Sequence, residues 1–214
     1  AQKEEEEKVN KLKEWLTENK VSAGVNIDED SKRYYPYSTL ASQVIGACGT
    51  DNQGLSGIEY SYDSILKGTS GEVVMSTDAS KSEIPNSQES FIPAENGYNL
   101  TLTIDINIQS IVEKYLKEAV EENACSKGGN CIIMDPKTGN ILAMASYPNY
   151  DLNSPFTPTS YYADNWDSLS NEEKNSRIYN MWHVRSVFET YEPGSVFKLI
   201  TASVALEENI TKTD

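Results

Sequence analysis

Residues 106–123 constrain the architecture of this chain more than any other stretch. Ile108, Ile111, Val112, Tyr115, Leu116, Ala119 and Val120 fall at i, i+3, i+4, i+7, i+8, i+11 and i+12, so a helix here carries one continuous apolar stripe. Such a stripe must be buried against another layer. Ahead of it, "YNLTLTID" alternates apolar and polar residues as a half-buried strand does, and Asp105 stands where it can cap the exposed N–H groups of the helix. Behind it, "NCIIMD", the turn "PKTG" and "NILAMASYP" predict an antiparallel hairpin, with Pro136 at the first corner and Gly139 at the later one. Strand, helix and hairpin together make a mixed α+β sheet.

The regions around this unit are less regular. Lys3 to Asn19 places Val9, Leu12, Trp15 and Leu16 at helical spacing among charged residues, an amphipathic helix with one face to pack. From Tyr34 to Gly71 the glycine-rich pieces "GACG", "NQGLSG" and "LKGTSG" predict loops and short strands with little helix, and Arg33 and Glu59 flank this region as a structural ion pair. Ser76 to Asn96, with Pro85 and Pro93, reads as a hairpin tip followed by a linker. This divides the chain into a loop- and strand-rich domain over 1–95 and a second domain over 96–214. Tyr150 to Asn180 reads as a long irregular loop, the kind that in a compact domain carries function or moves. Beyond Pro193 and Gly194, "SVFKLITASVALEENI" predicts a buried helix with Ser195 in its first turn.

Composition removes several function classes. A formal net charge of −15 repels phosphate backbones, and no local basic stripe offsets it, so nucleic acid is not a partner. No run of eighteen or more apolar residues occurs, so any membrane anchor lies outside this sequence. Three cysteines, Cys48, Cys125 and Cys131, are too few for a disulfide scaffold. Cys125 and Cys131 bracket the flexible "SKGGN" and could form a bridge or, with His183, hold zinc, but the spacing fits no standard zinc pattern. The simpler reading is two small residues at a turn and a strand start, and a loop histidine.

"YEPGSVFK" carries the chemistry. A serine hydroxyl is a poor nucleophile at neutral pH unless a neighbour takes its proton, and a lysine does so only when uncharged, a state that burial or nearby positive charge favours. Ser195 and Lys198 at i and i+3 share a helix face, and the N–H groups of the first turn favour a developing oxyanion beside Ser195. A plain N-cap is the competing reading. The same spacing recurs in "SILK", Ser64 to Lys67, but that piece ends in Gly68 with no helix to follow. "KTG" at Lys137 to Gly139 matches a motif of penicilloyl serine transferases, yet it sits at a hairpin tip and ahead of the serine, so it reads as a turn.

Taken in order, "RYYPYSTLASQVIG", "DNQGLSGIEYSYDSILKGTSG", "LTLTIDINIQSIVEKYL", "GGNCIIMDPKTGNILAMASYPNYDLN" and "YEPGSVFK" resemble the class B penicillin-binding proteins, the membrane-anchored D,D-transpeptidases that cross-link peptidoglycan in division, elongation or sporulation. The first two resemble the end of that family's N-terminal pedestal and the last three the start of its transpeptidase domain, a serine β-lactamase-like α+β fold. The resemblance implies Ser195 as nucleophile toward the penultimate D-Ala carbonyl of a stem peptide, Lys198 as general base, covalent capture by β-lactams, and no cofactor or metal. It also implies an extracytoplasmic site at the cell membrane, with glycosyltransferase and morphogenesis membrane proteins as partners. The sequence ends at Asp214, before any Ser-x-Asn or Lys-Thr-Gly element of the cleft, so by itself it is expected to be incompetent. The competing classes are a β-lactam sensor or scaffold module, for which no "GLSGIE" pedestal is expected, and a β-lactamase, whose serine sits near the mature N-terminus.

Overall fold

The structure, a computed structural model, describes residues 6–21, 25, 27, 32–74 and 90–212. Its elements in order are α1 (Glu6–Glu18), α2 (Ser42–Ile45), α3 (Gly57–Ser61), α4 (Asp63–Leu66), β1 (Glu72–Val74), β2 (Ser90–Ile92), α5 (Ile106–Glu122), β3 (Gly129–Met134), β4 (Ile141–Tyr147), α6 (Asn171–Trp182), α7 (Arg185–Phe188) and α8 (Lys198–Glu207). Two short 3-10 turns, Trp166–Ser168 and Gly194–Phe197, precede α6 and α8.

α5 and the hairpin form as the sequence dictates. The Asp105 side chain accepts from the N–H groups of Asn107 and Ile108, and the helix runs to an Asn123 cap. β3 and β4 pair antiparallel from Gly129↔Tyr147 to Met134↔Ile141, with an irregularity after Ile133. At the hairpin tip the Asp135 carboxylate accepts from Lys137 N–H at 2.9 Å and Thr138 Oγ1 at 2.7 Å. These bonds hold its carboxyl below the usual range, and "KTG" is a turn here. The buried stripe of α5 is narrower than the apolar one. Val112 and Val120 are buried, with Ile108 and Leu116 packed beside Ala143 and Ala145 of β4, while Ile111 and Tyr115 face outward. Spacing by fours, not threes, selects the side that meets the strands.

The alternating "YNLTLTID" forms no strand. Among the described residues no ladder runs along it, and its links to β4 are Thr103 Oγ1 to Ile141 O at 2.7 Å and Asp105 N–H to Leu142 O at 2.9 Å. Alternation supplies a face, but a strand also needs a partner for its backbone.

The N-terminal region holds more helix than the glycines suggested. Between Tyr34 and Gly71 the structure has α2, α3 and α4 and the isolated bridges Cys48↔Gly54 and Thr69↔Glu95 instead of strands. Gly46 and Gly57 explain this. Both have positive φ, 85° and 57°, and a Cβ on Gly46 would lie 1.9 Å from Ser56 O. The glycines stop one short helix and start the next where two backbones touch. β1 and β2 pair antiparallel, consistent with a hairpin, while its tip over 75–89 lies outside the described residues. α1 is helical as expected, yet Leu12 and Trp15 stay exposed, so its apolar face packs on nothing among the described residues.

The stretch read as an irregular loop over 150–180 contains α6. Ser170 and Glu173 form a full capping box, Ser170 Oγ accepting from Glu173 N–H while the Glu173 carboxylate takes the Ser170 N–H at 2.9 Å. Ile178, Met181 and Trp182 of this helix join Ala47, Tyr150 and Leu152 in the main apolar cluster. That cluster unites the two halves of the chain. Polar bonds reinforce it: Gln43 Nε2 donates to Pro148 O at 2.8 Å, and Tyr35 and Asn153 exchange two bonds at 3.0 and 2.9 Å.

Arg33 and Glu59 do pair. Arg33 Nε and Nη2 donate to the two Glu59 oxygens at 2.8 and 3.0 Å, and Tyr35 OH adds a third bond at 3.1 Å. The Glu59 hydrogen bond is the main cause that raises the guanidinium further above its ordinary value, and burial raises the Tyr35 phenol.

Two stability outcomes follow from these contacts. Arg33→Leu leaves the buried Glu59 without its cation and should cost about 2 kcal/mol in urea unfolding, less than the roughly 3–5 kcal/mol for breaking a fully buried pair because Arg33 is 43% exposed. Ser170→Ala removes the cap of α6 and should cost about 1 kcal/mol by the same measurement.

Candidate active site

Ser195 and Lys198 meet at a change of helix type. Pro193 and Gly194 turn the chain, with Gly194 at φ 54°, into the 3-10 turn Gly194–Phe197, and α8 begins at Lys198 itself. Val196 N–H donates to Pro193 O at 3.1 Å and Lys198 N–H returns to Ser195 O. In a 3-10 turn residues three apart eclipse one another, so this junction sets Ser195 and Lys198 on one side. Both are exposed, and among the described residues no hydrogen bond joins their side chains.

α8 is not the buried helix expected. Leu199 is 71% exposed, Val196 60% and Val204 54%, and no residue of α8 is buried. The described residues therefore supply no desolvating cover over Lys198. The geometry brings Ser195 and Lys198 to the same side of one turn and leaves both open.

α7, with six residues between it and Ser195, is tied to the loop before β3. Arg185 of α7 donates to Lys127 O and, at 3.3 Å, to Tyr162 OH, and its Nε lies 3.7 Å from Glu189. Tyr161 OH donates to Ser126 O, so the loop before β3 is tied to the segment that leads toward Ser195. Neither residue stood out in the sequence, where Arg185 is one cation in a polar stretch.

The thiols and the histidine do not assemble. Cys125 is exposed with Sγ 4.0 Å from Asn123 O, Cys131 packs inward beside the Val112 cluster, and the His183 ring stacks at 4.8 Å on Phe188. Among the described residues no three His, Cys, Asp or Glu side chains gather, and all three cysteines are free. Among those residues no helix is long and apolar enough to cross a membrane.

An apolar cavity of about 500 Å³ lies between α3, β4, α6 and α7, lined by Leu55, Ile58, Tyr60, Met144, Trp182 and Val187 among others. A smaller one of about 270 Å³ adjoins Arg33 and Glu59. Neither reaches Ser195 or Lys198.

A side-chain pair that the sequence reading passed over links the halves of the molecule. Gln109, fully buried, donates to Met144 O at 3.0 Å and accepts from Met144 N–H at 2.8 Å, and Glu113 accepts from Ala41 N–H at 2.6 Å. Burial raises the Glu113 carboxyl above its ordinary value against hydrogen bonds from Gln109, Ala41 and Asn149. The available signal was two polar residues, four apart, on the inward side of α5.

Comparison with known proteins places these features. Residues 2–102 match the penicillin-binding protein dimerisation domain and residues 129–214 the penicillin-binding protein transpeptidase domain. The chain belongs to the penicillin-binding protein family. It is 38% identical over 185 residues to stage V sporulation protein D of Bacillus subtilis, covering 86% of this chain and 26% of that one. It is 38% identical over 189 residues to the peptidoglycan D,D-transpeptidase FtsI of Buchnera aphidicola, covering 88% and 29%. The solved complex between penicillin-binding protein PBP2 and MreC from Helicobacter pylori matches with a TM-score of 0.55 and 28% identity, over 85% of this chain and 34% of that one. The chain thus spans little more than a quarter of the length of these curated relatives.

Gly194→Ala tests the turn itself. A Cβ there meets nothing within 4 Å, so the cost is the positive φ alone, about 1 kcal/mol, read as a lower unfolding midpoint without a change in the α6 core.

Proposed function

We propose that the full-length protein cross-links peptidoglycan by serine acyl transfer, with Ser195 as nucleophile and Lys198 as general base. The observation that carries this is the serine and lysine set three apart across a 3-10-to-α junction behind Pro193 and Gly194, inside the segment matching the transpeptidase domain. Ser195 Oγ attacks the carbonyl of the penultimate D-Ala, its proton passes to Lys198 Nζ, and the terminal D-Ala departs as the amine. An amine from a second stem peptide then displaces the serine ester. The Ser195 N–H supplies one donor to the oxyanion. β-Lactams acylate the same oxygen and stay.

The match of residues 2–102 to the dimerisation domain supports a transpeptidase over a β-lactam sensor, for which no such pedestal is expected. We further propose the division into a pedestal over 1–95 and a transpeptidase domain over 96–214. The likeness to the PBP2–MreC complex supports morphogenesis proteins as partners, the relatives' names support a role in peptidoglycan synthesis and in sporulation, and we propose an extracytoplasmic site at the cell membrane.

Fluorescent penicillin labelling of the full-length protein tests the assignment. Ser195→Ala should abolish the covalent label, and Lys198→Ala should slow acylation by about 10²–10⁴-fold. Label retained in Ser195→Ala, or mapped to another residue by mass spectrometry, refutes it.

A further inference from the structure

α5 lies between the two segments that the family models match, and two of its side chains reach both. Toward the N-terminal segment, Glu113 Oε1 accepts from Ala41 N–H at 2.6 Å, while Oε2 accepts at 3.5 Å from Nδ2 of Asn149, which follows β4 in the other segment. Toward the hairpin, the same Oε1 accepts from Gln109 Nε2 at 2.8 Å, and Gln109 holds both backbone groups of Met144. Every one of these partners of the carboxylate donates. An ionised carboxylate, acceptor-only, satisfies all three. No ion pair to Glu113 occurs among the described residues, so donors alone hold it.

Both ends of this chain of bonds sit on backbone that governs something else. Ala41 adopts φ 50° directly before α2, a left-handed conformation that a non-glycine residue keeps only where its surroundings fix it. α2 in turn carries Gln43 to Pro148 O and Ser42 to the Tyr150 N–H at 3.3 Å. At the other end, Met144 lines the apolar cavity with Val184 and Val187, and α7 packs on both strands of the hairpin. Only residues 189–194 separate α7 from Ser195.

We propose that Glu113 is a positioning residue: through Gln109 it joins the N-terminal segment to the β3–β4 hairpin, so that displacement of that segment shifts the scaffold on which the approach to Ser195 is built. The functional half of this rests on the acyl-transfer reading above, and the structural half does not.

Amide hydrogen exchange on the full-length protein tests the structural half. Glu113→Ala should speed exchange about tenfold or more at both Ala41 and Met144, since it removes charge-assisted bonds at one end and Gln109's anchor at the other. Gln109→Ala, which leaves the Glu113 to Ala41 bond in place, should also speed Ala41. Glu113→Gln keeps a carbonyl for the Ala41 N–H and should recover most of its protection. Exchange that rises only at Ala41 in Glu113→Ala and only at Met144 in Gln109→Ala overturns the proposal, because the bonds would then be independent. If Glu113→Ala does not fold, Glu113→Gln and Gln109→Ala carry the same comparison.

Penicillin acylation tests the functional half. Glu113→Ala should lower the acylation rate about tenfold with the adduct still on Ser195, and Glu113→Gln should lie closer to wild type. An unchanged rate overturns the positioning role. Failure of the wild-type protein to label at Ser195 instead sinks the acyl-transfer reading, and the exchange data still decide the coupling.

Discussion

The open edge of β4 is where α5 is fastened to the hairpin. A hairpin alone leaves a row of unpaired backbone groups along each outer edge and is marginal in water. Here the gap is filled without a third strand. The Gln109 amide offers one donor and one acceptor at the spacing of a peptide group and takes both groups of Met144, while Asp105 N–H takes Leu142 O two residues away. The same turns of α5 lay Val112 on Ala143 and Ala145. Helix and strand are therefore locked in register by hydrogen bonds as well as by apolar contact, and a slip would break both at once.

Of two poorly solvated carboxylates, Glu113 ties the N-terminal segment to this frame and Glu59 braces that segment internally, and each is satisfied in a different way. Glu59 has a guanidinium and a phenol, a bidentate arrangement in which position and charge are both matched. Glu113 has only neutral donors, so nothing offsets its loss of water except hydrogen bonds, and its carboxyl is held above the ordinary value. A buried pair of the first kind adds little net stability over an apolar replacement but is costly to break. Their value lies in specifying one arrangement: removing either leaves a backbone or a charge with no alternative partner nearby.

The features legible in the sequence were those that local chemistry decides. The stripe from Ile108 to Val120, the Asp105 cap and the turn around Pro136 and Gly139 each depend on neighbours within a few residues, and the structure has them. The strand expected of "YNLTLTID" failed for the opposite reason: alternation describes a surface, and pairing depends on what lies alongside. α6 was hidden by composition. Its polar, aromatic residues resemble a loop, yet Ser170 and Glu173 spell a capping box, and Ile178, Met181 and Trp182 supply a buried edge at helical spacing. Gln109 and Glu113 were passed over because polar residues beside an apolar stripe ordinarily face water.

The serine–lysine turn shows where local geometry stops and environment begins. Backbone alone accounts for the placement: Gly194 supplies the positive φ, the 3-10 turn eclipses residues three apart, and α8 carries the lysine onward. Backbone cannot supply the chemistry. A helix of ten residues is too short to be stable on its own propensity, and the apolar side chains of Val196, Leu199, Ile200 and Val204 find no covering layer among the described residues. Those are the residues whose burial would both steady the helix and strip water from the lysine. On the proposed acyl-transfer reading, a layer over those side chains would therefore serve fold stability around Ser195 and its activation through the same contacts.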